Sequence, residues 1–435
     1  MPLPPRLRLD VGPWRRSPDF RRLLTSQAVT QAGSAVTMVA APLQVKQLTG
    51  SFLLVGLLGA VEFVPNLVGG LWGGAFADSR DRRRIVLGCE IALLVLSAAL
   101  LANSLLTHPR VWAVFVVAAG IALAGAWQRP ASDALLPRVV AVNDLPAAAS
   151  LQGVAQTSAF LGAPAVGGLL AAWHMPTAYA VDLATFVASA VALAGLAAVP
   201  PTDASVRAGV REIAVGVRYA VSRRDLLGSY AVDIAAMLFA VPDAVFPFLA
   251  DDLHATWALG LLYASVGAGS LVAAATSGWV GRVHRHGLAI VFAAASWGVA
   301  MAAAGLVPGG IWPVLVCLAV AGGADMVSGL FRQTLWNQTI PDELRGRLAG
   351  IELLSYTSGP TLGNARAGAF AALGGARFAL WSGGLLCVGA VLALAAVLPA
   401  LRRYDVRTDV HAAREREVRL RLAESSPDDG SPAFS

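Results

Sequence analysis

Residues 73–84 read GGAFADSRDRRR, in which an aspartate and then a cluster of arginines follow a glycine pair. Long apolar runs lie on both sides of this basic stretch, at approximately 52–77 and 85–106. A helix needs about 20 consecutive apolar residues to cross the hydrocarbon core of a bilayer. Both runs are long enough, so residues 73–84 are predicted to form the turn between two membrane spans.

The composition of the whole chain agrees with this interpretation. Of its 435 residues, 56% are hydrophobic and only 14% are charged, and the mean hydropathy is +0.64. This composition excludes an ordinary soluble enzyme. One span with its connection uses roughly 35 residues, so the length predicts about twelve crossings. The predicted fold class is all-α, in the form of a polytopic membrane protein.

Twelve apolar runs divide the chain into two halves of six spans. The predicted organisation is a basic N-terminus (1–22), a first six-helix half (23–199), a connecting loop (200–225), a second six-helix half (226–401) and a tail (402–435). The charged and polar composition of the tail predicts a solvated appendage. The runs lie at approximately 23–45, 52–77, 85–106, 111–135, 147–173, 178–199, 226–250, 257–280, 288–307, 311–334, 348–373 and 378–398.

The charge balance, +6 from 33 basic and 27 acidic side chains, would by itself be compatible with nucleic-acid binding. However, if the N-terminus lies in the cytoplasm, most arginines fall on one side of the predicted bilayer. The outer connections then carry little more than Lys46, Arg110 and Arg377. This asymmetry follows the positive-inside rule. It predicts a protein of the cell's inner (cytoplasmic) membrane with both termini in the cytoplasm, and it argues against nucleic acid as a partner.

The sequence offers no catalytic or metal-binding motif in the predicted spans. Cys89, Cys317 and Cys387 each lie inside an apolar run, without the spacing of a zinc site or a disulfide framework. The glycine-rich phosphate-binding loop of ATP-driven pumps is absent, and the only lysine is Lys46. We therefore expect no enzyme activity, no cofactor and no metal.

The basic stretch at 73–84 resembles the signature loop of the major facilitator superfamily, where a glycine, an aspartate and basic residues recur at this spacing. Asp81 stands where that loop usually has its second glycine. The resemblance implies the major facilitator fold, in which two six-helix halves move around a central cavity, and it implies an inner gate at this loop. The residues that match the loop are Gly74, Asp78, Arg82 and Arg83.

The fifth predicted span carries a second motif, rich in glycine and proline. Such residues allow membrane helices to pack closely. Here they also resemble the motif of the superfamily's antiporters, with Ala163 where a glycine is usual, and this resemblance favours export. The matching residues are Gly153, Gly162, Pro164, Gly167 and Gly168.

Two further stretches narrow the resemblance, VAAPLQVKQLTG at 39–50 and PDELRGR at 341–347. Both look like the branch of the superfamily that contains the enterobactin exporter and related multidrug efflux proteins. This implies a monomeric secondary transporter that exports a small amphiphilic molecule, a siderophore or a drug, in exchange for protons. Import by proton symport, and a transporter-like receptor without flux, are the alternatives.

Charged residues inside the predicted spans mark candidate transport sites, since a charge in the bilayer is costly unless a partner or a water-filled cavity stabilises it. Asp325, Asp233 and Glu62 are the candidate proton-coupling acids. Asp325 and Arg332 are seven positions apart, about two helical turns, so they are predicted to share a face and to interact. The resemblance places the seventh and tenth spans beside the cavity. The candidate substrate-binding residues are Arg332, Asp243, Phe239, Phe246 and Trp336.

Other residues near the span ends receive different predictions. Four residues lie close to inner boundaries and are assigned to inner-gate contacts with Asp78 and Arg82, namely Glu90, Asp133, Glu352 and Arg129. Asp182 lies near an outer boundary and is expected to be solvated. Pro242 and Pro247 are predicted to bend the outer part of the seventh span.

Overall fold

The computed structural model describes the backbone of residues 10–79, 81–196 and 218–425. It includes all side chains in these ranges except those of 71–79, 160–161, 342–357, 419–420 and 422–425. Both ends of the chain and most of the predicted connecting loop therefore lie outside the described residues.

Twelve long helices, α1 to α12, run back and forth through the described part of the chain, and a thirteenth helix follows them. The first six are α1 (Pro18–Thr49), α2 (Phe52–Ser79), α3 (Arg82–Ser104), α4 (Val111–Asp133), α5 (Leu145–Trp173) and α6 (Met175–Ala194). The others are α7 (Arg224–Asp252), α8 (Leu259–Ala275), α9 (His286–Leu306), α10 (Ile311–Thr339), α11 (342–373), α12 (376–397) and α13 (Val410–Ser425). Short helices also occur at Gly12–Arg16, Leu136–Val139 and Pro399–Arg403.

Breaks interrupt the helical backbone at two places. α7 consists of Arg224–Ala240 and Phe246–Asp252, joined by a 3-10 turn at Asp243–Val245. Pro242 lies directly at this break, so the predicted bend in the seventh span is confirmed. α11 and α12 form one helical stretch that is broken at 374–375, where a glycine adopts a φ of 85° that other residues rarely accept.

Capping residues determine where several helices begin and end. The Ser17 hydroxyl accepts a hydrogen bond from the Phe20 amide (3.1 Å) at the start of α1, and Gly50 ends that helix with a φ of 63°. The Asp81 carboxylate accepts a hydrogen bond from the Arg83 amide (2.9 Å). Asp81, which stands in the place of a family glycine, is therefore the N-cap of α3.

Ten stretches of the described chain are helical, long and apolar enough to cross a membrane. One of them, Ser358–Val397, contains the break at 374–375 and so holds two spans. α1 is also long enough to cross, but it is less apolar because its middle carries several Gln, Ser and Thr side chains. With these two additions, α1 to α12 correspond one to one with the twelve predicted spans, and the all-α membrane class is confirmed.

Successive helices alternate in direction, so that α1 begins and α12 ends at the same end of the bundle. We call this end the termini end and the opposite end the far end. Large apolar side chains cover the outer surface, among them Val191, Phe292 and Leu373, as expected for helices that face lipid. In the tail, α13 buries Ala412, while most of its other described residues are exposed, in contrast to a wholly solvated appendage.

Candidate functional site

A cavity of about 710 Å³ lies within the helix bundle. Its described walls come chiefly from α1 to α4, and α5, α6, α7 and α11 add fewer residues. The cavity therefore has contributions from helices on both sides of the central connection. Its volume is in the range of known small-molecule sites, which is about 300–1,000 Å³.

The walls of this cavity are rich in acidic side chains. Among the lining residues that the structure describes, Arg129 is the only basic one. The surface is therefore suited to a neutral or positively charged guest better than to an anion. Neutral hydroxyl and amide side chains complete it, and the amides are Gln27, Gln31, Asn66, Gln128, Gln156 and Asn364. The acidic lining residues are Glu62, Glu90, Asp133, Asp182 and Asp243.

The cavity lining extends along the bundle, from Val55 and Val114 near the far end to residues near the termini end. The lining includes Ser26, eight residues after α1 begins, and Asp133, the last residue of α4. Both positions lie near the termini end, because α1 starts there and α4 finishes there.

The far end is closed by a contact between α1 and α7. The Lys46 ammonium forms an ion pair with Asp251, and its Nζ also donates a hydrogen bond to the Pro247 carbonyl (2.7 Å). Beside them, the rings of Phe52 and Phe248 pack with their centroids 4.0 Å apart. The ion pair, the hydrogen bond and the ring contact all join the first six helices to the second six.

Glycines bring helices of the two halves together near the far end. A Cβ on Gly168 of α5 would lie 2.4 Å from the backbone nitrogen of Gly260 of α8. A Cβ on Gly56 of α2 would lie 2.7 Å from the Cα of Gly368 of α11. A contact this close leaves no room for any side chain larger than hydrogen. The α5–α8 and α2–α11 interfaces thus depend on glycine.

The structure places the candidate acid Glu62 and the candidate residue Asp243 in the cavity wall. Glu62 is half-buried on α2, one turn from the α2–α11 contact at Gly59, whose Cβ position is 2.3 Å from the Thr361 carbonyl oxygen. Asp243 lies at the break in α7, where the neighbouring Ala244 amide donates to the Asn364 side chain (3.0 Å). These two carboxylates, from different halves, share one cavity.

Asp233 and Arg332 form a buried ion pair between α7 and α10. Their side chains are only 1% and 3% exposed, and the described cavity lining contains neither of them. The predicted partnership between Arg332 and Asp325 is therefore replaced by one with Asp233. Helical spacing placed Asp325 and Arg332 on one face, but it gave no information about which residue of a neighbouring helix meets that face. Asp325 itself is half-buried on α10 and lies outside the described lining.

The three aromatic candidates take part in helix packing and are not among the described lining residues. Trp336 stacks on Tyr230 with centroids 4.8 Å apart, and its indole N–H donates to the Ser229 hydroxyl (2.9 Å). Phe246 is fully buried and meets the edge of Tyr263, while Phe239 is half-buried on α7.

The structure corrects the expectations for Asp182 and Glu90. Asp182 is not solvated, since it is 0% exposed and accepts hydrogen bonds from the hydroxyls of Thr37 (2.6 Å) and Ser97 (2.9 Å). Glu90 is 1% exposed and accepts hydrogen bonds from Thr30 and Gln128, both at 2.7 Å. Distance from a span end estimated the depth of these residues in the bilayer, but it did not show that both face inward. Both line the cavity.

The structure describes the α5 motif more fully than the basic stretch at 73–84. In the basic stretch, Arg83 donates a hydrogen bond to the Ala194 carbonyl (2.7 Å), which ties the start of α3 to the end of α6, and Arg82 is the first residue of α3. The side chains of 71–80 lie outside the described residues, and the predictions for Gly74 and Asp78 fall within this range. The inner gate therefore stays a prediction.

The glycines of the α5 motif are not equivalent. Gly167 packs against α1, where its Cβ position is 2.7 Å from the Cα of Val36, and Gly168 packs against α8. Around Gly153 and Gly162 the described neighbours leave open space. Pro164 lies inside the helix, between these two groups. Two of the four motif glycines are therefore required by helix packing.

Comparisons with known proteins agree with this architecture. A model of the family described as transmembrane secretion effectors, within the major facilitator superfamily, matches residues 11–427. The enterobactin exporter EntS of Shigella boydii serotype 4 (strain Sb227) is 28% identical over 407 residues, which cover 91% of this chain and 95% of the relative.

Solved structures with low sequence identity share the fold. A D-xylose–proton symporter has a TM-score of 0.70 at 15% identity, and the match covers 88% of this chain and 98% of the symporter. A bacterial homologue of the iron transporter ferroportin, in an inward-facing state, has a TM-score of 0.64 at 17% identity, with 88% and 98% covered. The resemblance to the major facilitator superfamily is confirmed. Since the family model spans nearly the whole chain, this multi-pass membrane protein belongs to the transmembrane secretion effector family of efflux transporters.

Proposed function

We propose that this protein exports a small amphiphilic molecule across the cytoplasmic membrane in exchange for protons, as a monomer and without a cofactor. The observation that carries the proposal is a cavity walled by both halves, with the carboxylates Glu62 and Asp243 in it and a cross-half contact at one end. A cavity between two halves that contact each other at one end is what alternating access requires. The relative EntS is named as an enterobactin exporter, and this supports the direction.

The arginine distribution supports a cytoplasmic location for the termini end. With that orientation, the closed far end faces the outside of the cell. The cavity then extends toward the cytoplasm, which is the side from which an exporter collects its cargo.

This orientation predicts the behaviour of reporters fused to the chain. Alkaline phosphatase fused after Arg402 is expected to be inactive, because the enzyme matures only outside the cytoplasm. The same reporter fused after Thr107, in the far-end loop between α3 and α4, is expected to be active and serves as the matched control. Phosphatase activity after Arg402 at equal expression would contradict the proposed orientation.

Among the proposed coupling acids, Glu62 is the one that lies in the described cavity wall, and this position supports its role. It lies where cargo would bind, and it lies next to an interface that must change when the halves rock. A carboxylate in this position can hold either a proton or a positively charged group of the cargo, so that one displaces the other. For Asp233 and Asp325 the support is their charge inside a span, and in Asp233 that charge is balanced by Arg332.

Two features support different cargoes. The name of the relative EntS supports a siderophore such as enterobactin. The cavity lining, with five acidic residues and Arg129 as the only described basic one, supports a neutral or cationic amphiphile. Both molecules are therefore used as probes, iron-free enterobactin for the first class and tetraphenylphosphonium for the second.

Glu62→Gln is expected to abolish uphill accumulation of the exported probe while downhill exchange continues. Glutamine has the size of glutamate, but it cannot bind and release a proton. The measurement is uptake of each probe into inside-out vesicles with an imposed pH gradient, followed by exchange without a gradient. Asp252→Asn, an exposed acid at the far end, is the control for a lost carboxylate. If Glu62→Gln accumulates the probe like the wild type, the coupling acid lies elsewhere, and Asp325→Asn and Asp233→Asn are tested next.

A further inference from the structure

Three helices of the first half carry polar residues in a matching pattern. Each of α1, α3 and α6 has two such residues seven positions apart, which is two turns on the same helix face. These pairs meet in two layers, and each layer combines one carboxylate with two hydroxyls. The pairs are Thr30 and Thr37, Glu90 and Ser97, and Asp182 and Ser189.

The layer nearer the termini end is centred on Glu90. Its Oε1 accepts hydrogen bonds from Thr30 of α1 and Gln128 of α4. The Thr30 hydroxyl also lies 2.8 Å from that of Ser189, which in turn lies 2.7 Å from the hydroxyl of Ser26. Of these hydroxyl residues, Ser26 lies nearest to the start of α1. A continuous line of hydroxyls thus leads from Glu90 toward the termini end.

The layer nearer the far end is centred on Asp182 of α6. Its Oδ2 accepts hydrogen bonds from Thr37 of α1 and Ser97 of α3. Gly33, between the two layers, lets α1 approach α6, since a Cβ there would lie 2.7 Å from the other carboxylate oxygen of Asp182. The carboxylate thus comes from α3 in the first layer and from α6 in the second.

Each carboxylate has one oxygen that accepts hydrogen bonds and one that is buried without a hydrogen-bond partner. The oxygens without a partner are Glu90 Oε2 and Asp182 Oδ1. Both residues are nearly or completely inaccessible, yet both line the 710 Å³ cavity. The second oxygen of a carboxyl group is where a proton resides in the neutral acid, and the cavity can supply water to receive that proton.

Among the residues that the structure describes, none forms an ion pair with either of these two carboxylates. The hydrogen bonds described for them come from hydroxyl and amide groups. Arg129 and Asp133 of α4 and Glu62 of α2 line the same cavity, and α5 has no charged residue. The titratable neighbour of Glu90 is Cys89, and that of Asp182 is Tyr179. The Tyr179 hydroxyl donates a hydrogen bond to Gln44. Burying an ionised carboxylate without a paired cation costs free energy, so the protonated carboxyl is the state of lower free energy.

We propose that Glu90 and Asp182 are two stations of a proton path inside the first half, separate from the cargo-binding acid Glu62. This inference rests on the proposed proton antiport. A proton from outside binds Asp182 at Oδ1 and neutralises it. When that proton passes to Glu90, Asp182 becomes ionised as Glu90 becomes neutral, so the number of buried charges is unchanged. Glu90 then releases the proton from Oε2 to water in the cavity, which carries it toward the cytoplasm.

The proposed path needs water between its stations. Two helical turns separate the layers by about 10 Å, which is too far for direct transfer. The cavity that both acids line provides room for bridging water. Sodium fits the layers less well, because the hydroxyl hydrogens point at the carboxylate oxygens and each layer offers too few free oxygens for a metal ion.

The test compares Glu90→Gln and Asp182→Asn with the wild type in proteoliposomes. The probe is enterobactin or tetraphenylphosphonium, whichever the wild type accumulates, and a pH-sensitive dye records proton flux. Both variants are expected to lose accumulation driven by a pH gradient and the accompanying proton flux, while downhill exchange of the probe continues. Asp252→Asn is the control. Normal pH-driven accumulation in either variant overturns the proposal, and so does a wild type driven by a sodium gradient with no proton flux.

A second measurement remains decisive if these variants fail to fold. Infrared difference spectra of the wild type between acid and alkaline pH are expected to contain a protonated-carboxyl band from a buried acid. Glu90→Asp and Asp182→Glu keep the carboxyl group but change its surroundings, so each is expected to shift that band. An unshifted band in both overturns the proposal. If Glu62→Gln loses coupling while Glu90→Gln and Asp182→Asn keep it, this path fails and the proposed antiport stands.

Discussion

Arg332→Met is expected to lower the stability of the folded protein by about 3–5 kcal/mol, because it leaves the carboxylate of Asp233 buried without its cation. Both side chains of the pair are almost inaccessible, at 3% and 1% exposure, so water cannot replace the lost partner. The measurement is the midpoint of thermal unfolding in detergent, together with the yield of monodisperse protein. Asp233→Leu alone should be similarly harmful, since it leaves the guanidinium unpaired.

The double variant Asp233→Leu with Arg332→Met is the matched control. Apolar residues of similar size often replace a buried ion pair with little loss of stability, so the double variant is expected to regain most of the midpoint. It also separates two roles of Asp233. If the stable double variant still accumulates its probe uphill, Asp233 is a structural partner of Arg332. Should the double variant unfold as readily as the single ones, the ion pair is not the source of the instability.

Gly168→Ala is expected to abolish transport, since the far end can no longer close. The added methyl carbon would lie 2.4 Å from the nitrogen and 2.5 Å from the Cα of Gly260, and both are backbone atoms that cannot rotate away. The α5–α8 interface would have to separate, and this favours conformations that are open at the far end. Gly162→Ala, in the same helix and motif, adds the same methyl group into open space and is expected to behave like the wild type.

A cysteine at Ser34, in the cavity wall, reports this conformational change. In a variant that lacks the native cysteines, a membrane-impermeant maleimide added outside the cell is expected to label Ser34→Cys faster when Gly168→Ala is also present. Equal labelling and equal transport for Gly168→Ala and Gly162→Ala would show that the glycine contact does not control closure.

The sequence predicted the bounds of the helices more accurately than the contacts between them. The fifth run was marked at 147–173 and α5 is Leu145–Trp173, while the break at 374–375 falls between the last two predicted spans. Apolar length is a local property, so a single segment is enough to estimate it. α1 extends beyond its predicted run of 23–45 to Pro18 and Thr49, because a helix continues into the polar membrane surface where charged residues are tolerated.

The partners of buried charges depend on how helices are rotated and paired, which a single sequence does not specify. Arg332 was assigned to Asp325 on its own helix, but it meets Asp233 on another one. Asp182 was taken as solvated, but it faces inward. A usable signal was nevertheless present: polar residues repeat at an interval of seven in α1, α3 and α6, and this repeat indicates a common buried face for the three helices.

Lys46 gives the closed far end an unusual chemical property. It is the only lysine in the chain, and its side chain is 13% exposed within the contact with Asp251 and Phe248. Its primary amine is therefore the single side-chain site for acylating reagents, and it is located where the two halves separate. The rate of acylation at this one position therefore measures how readily the far end opens, in a protein that carries no engineered label.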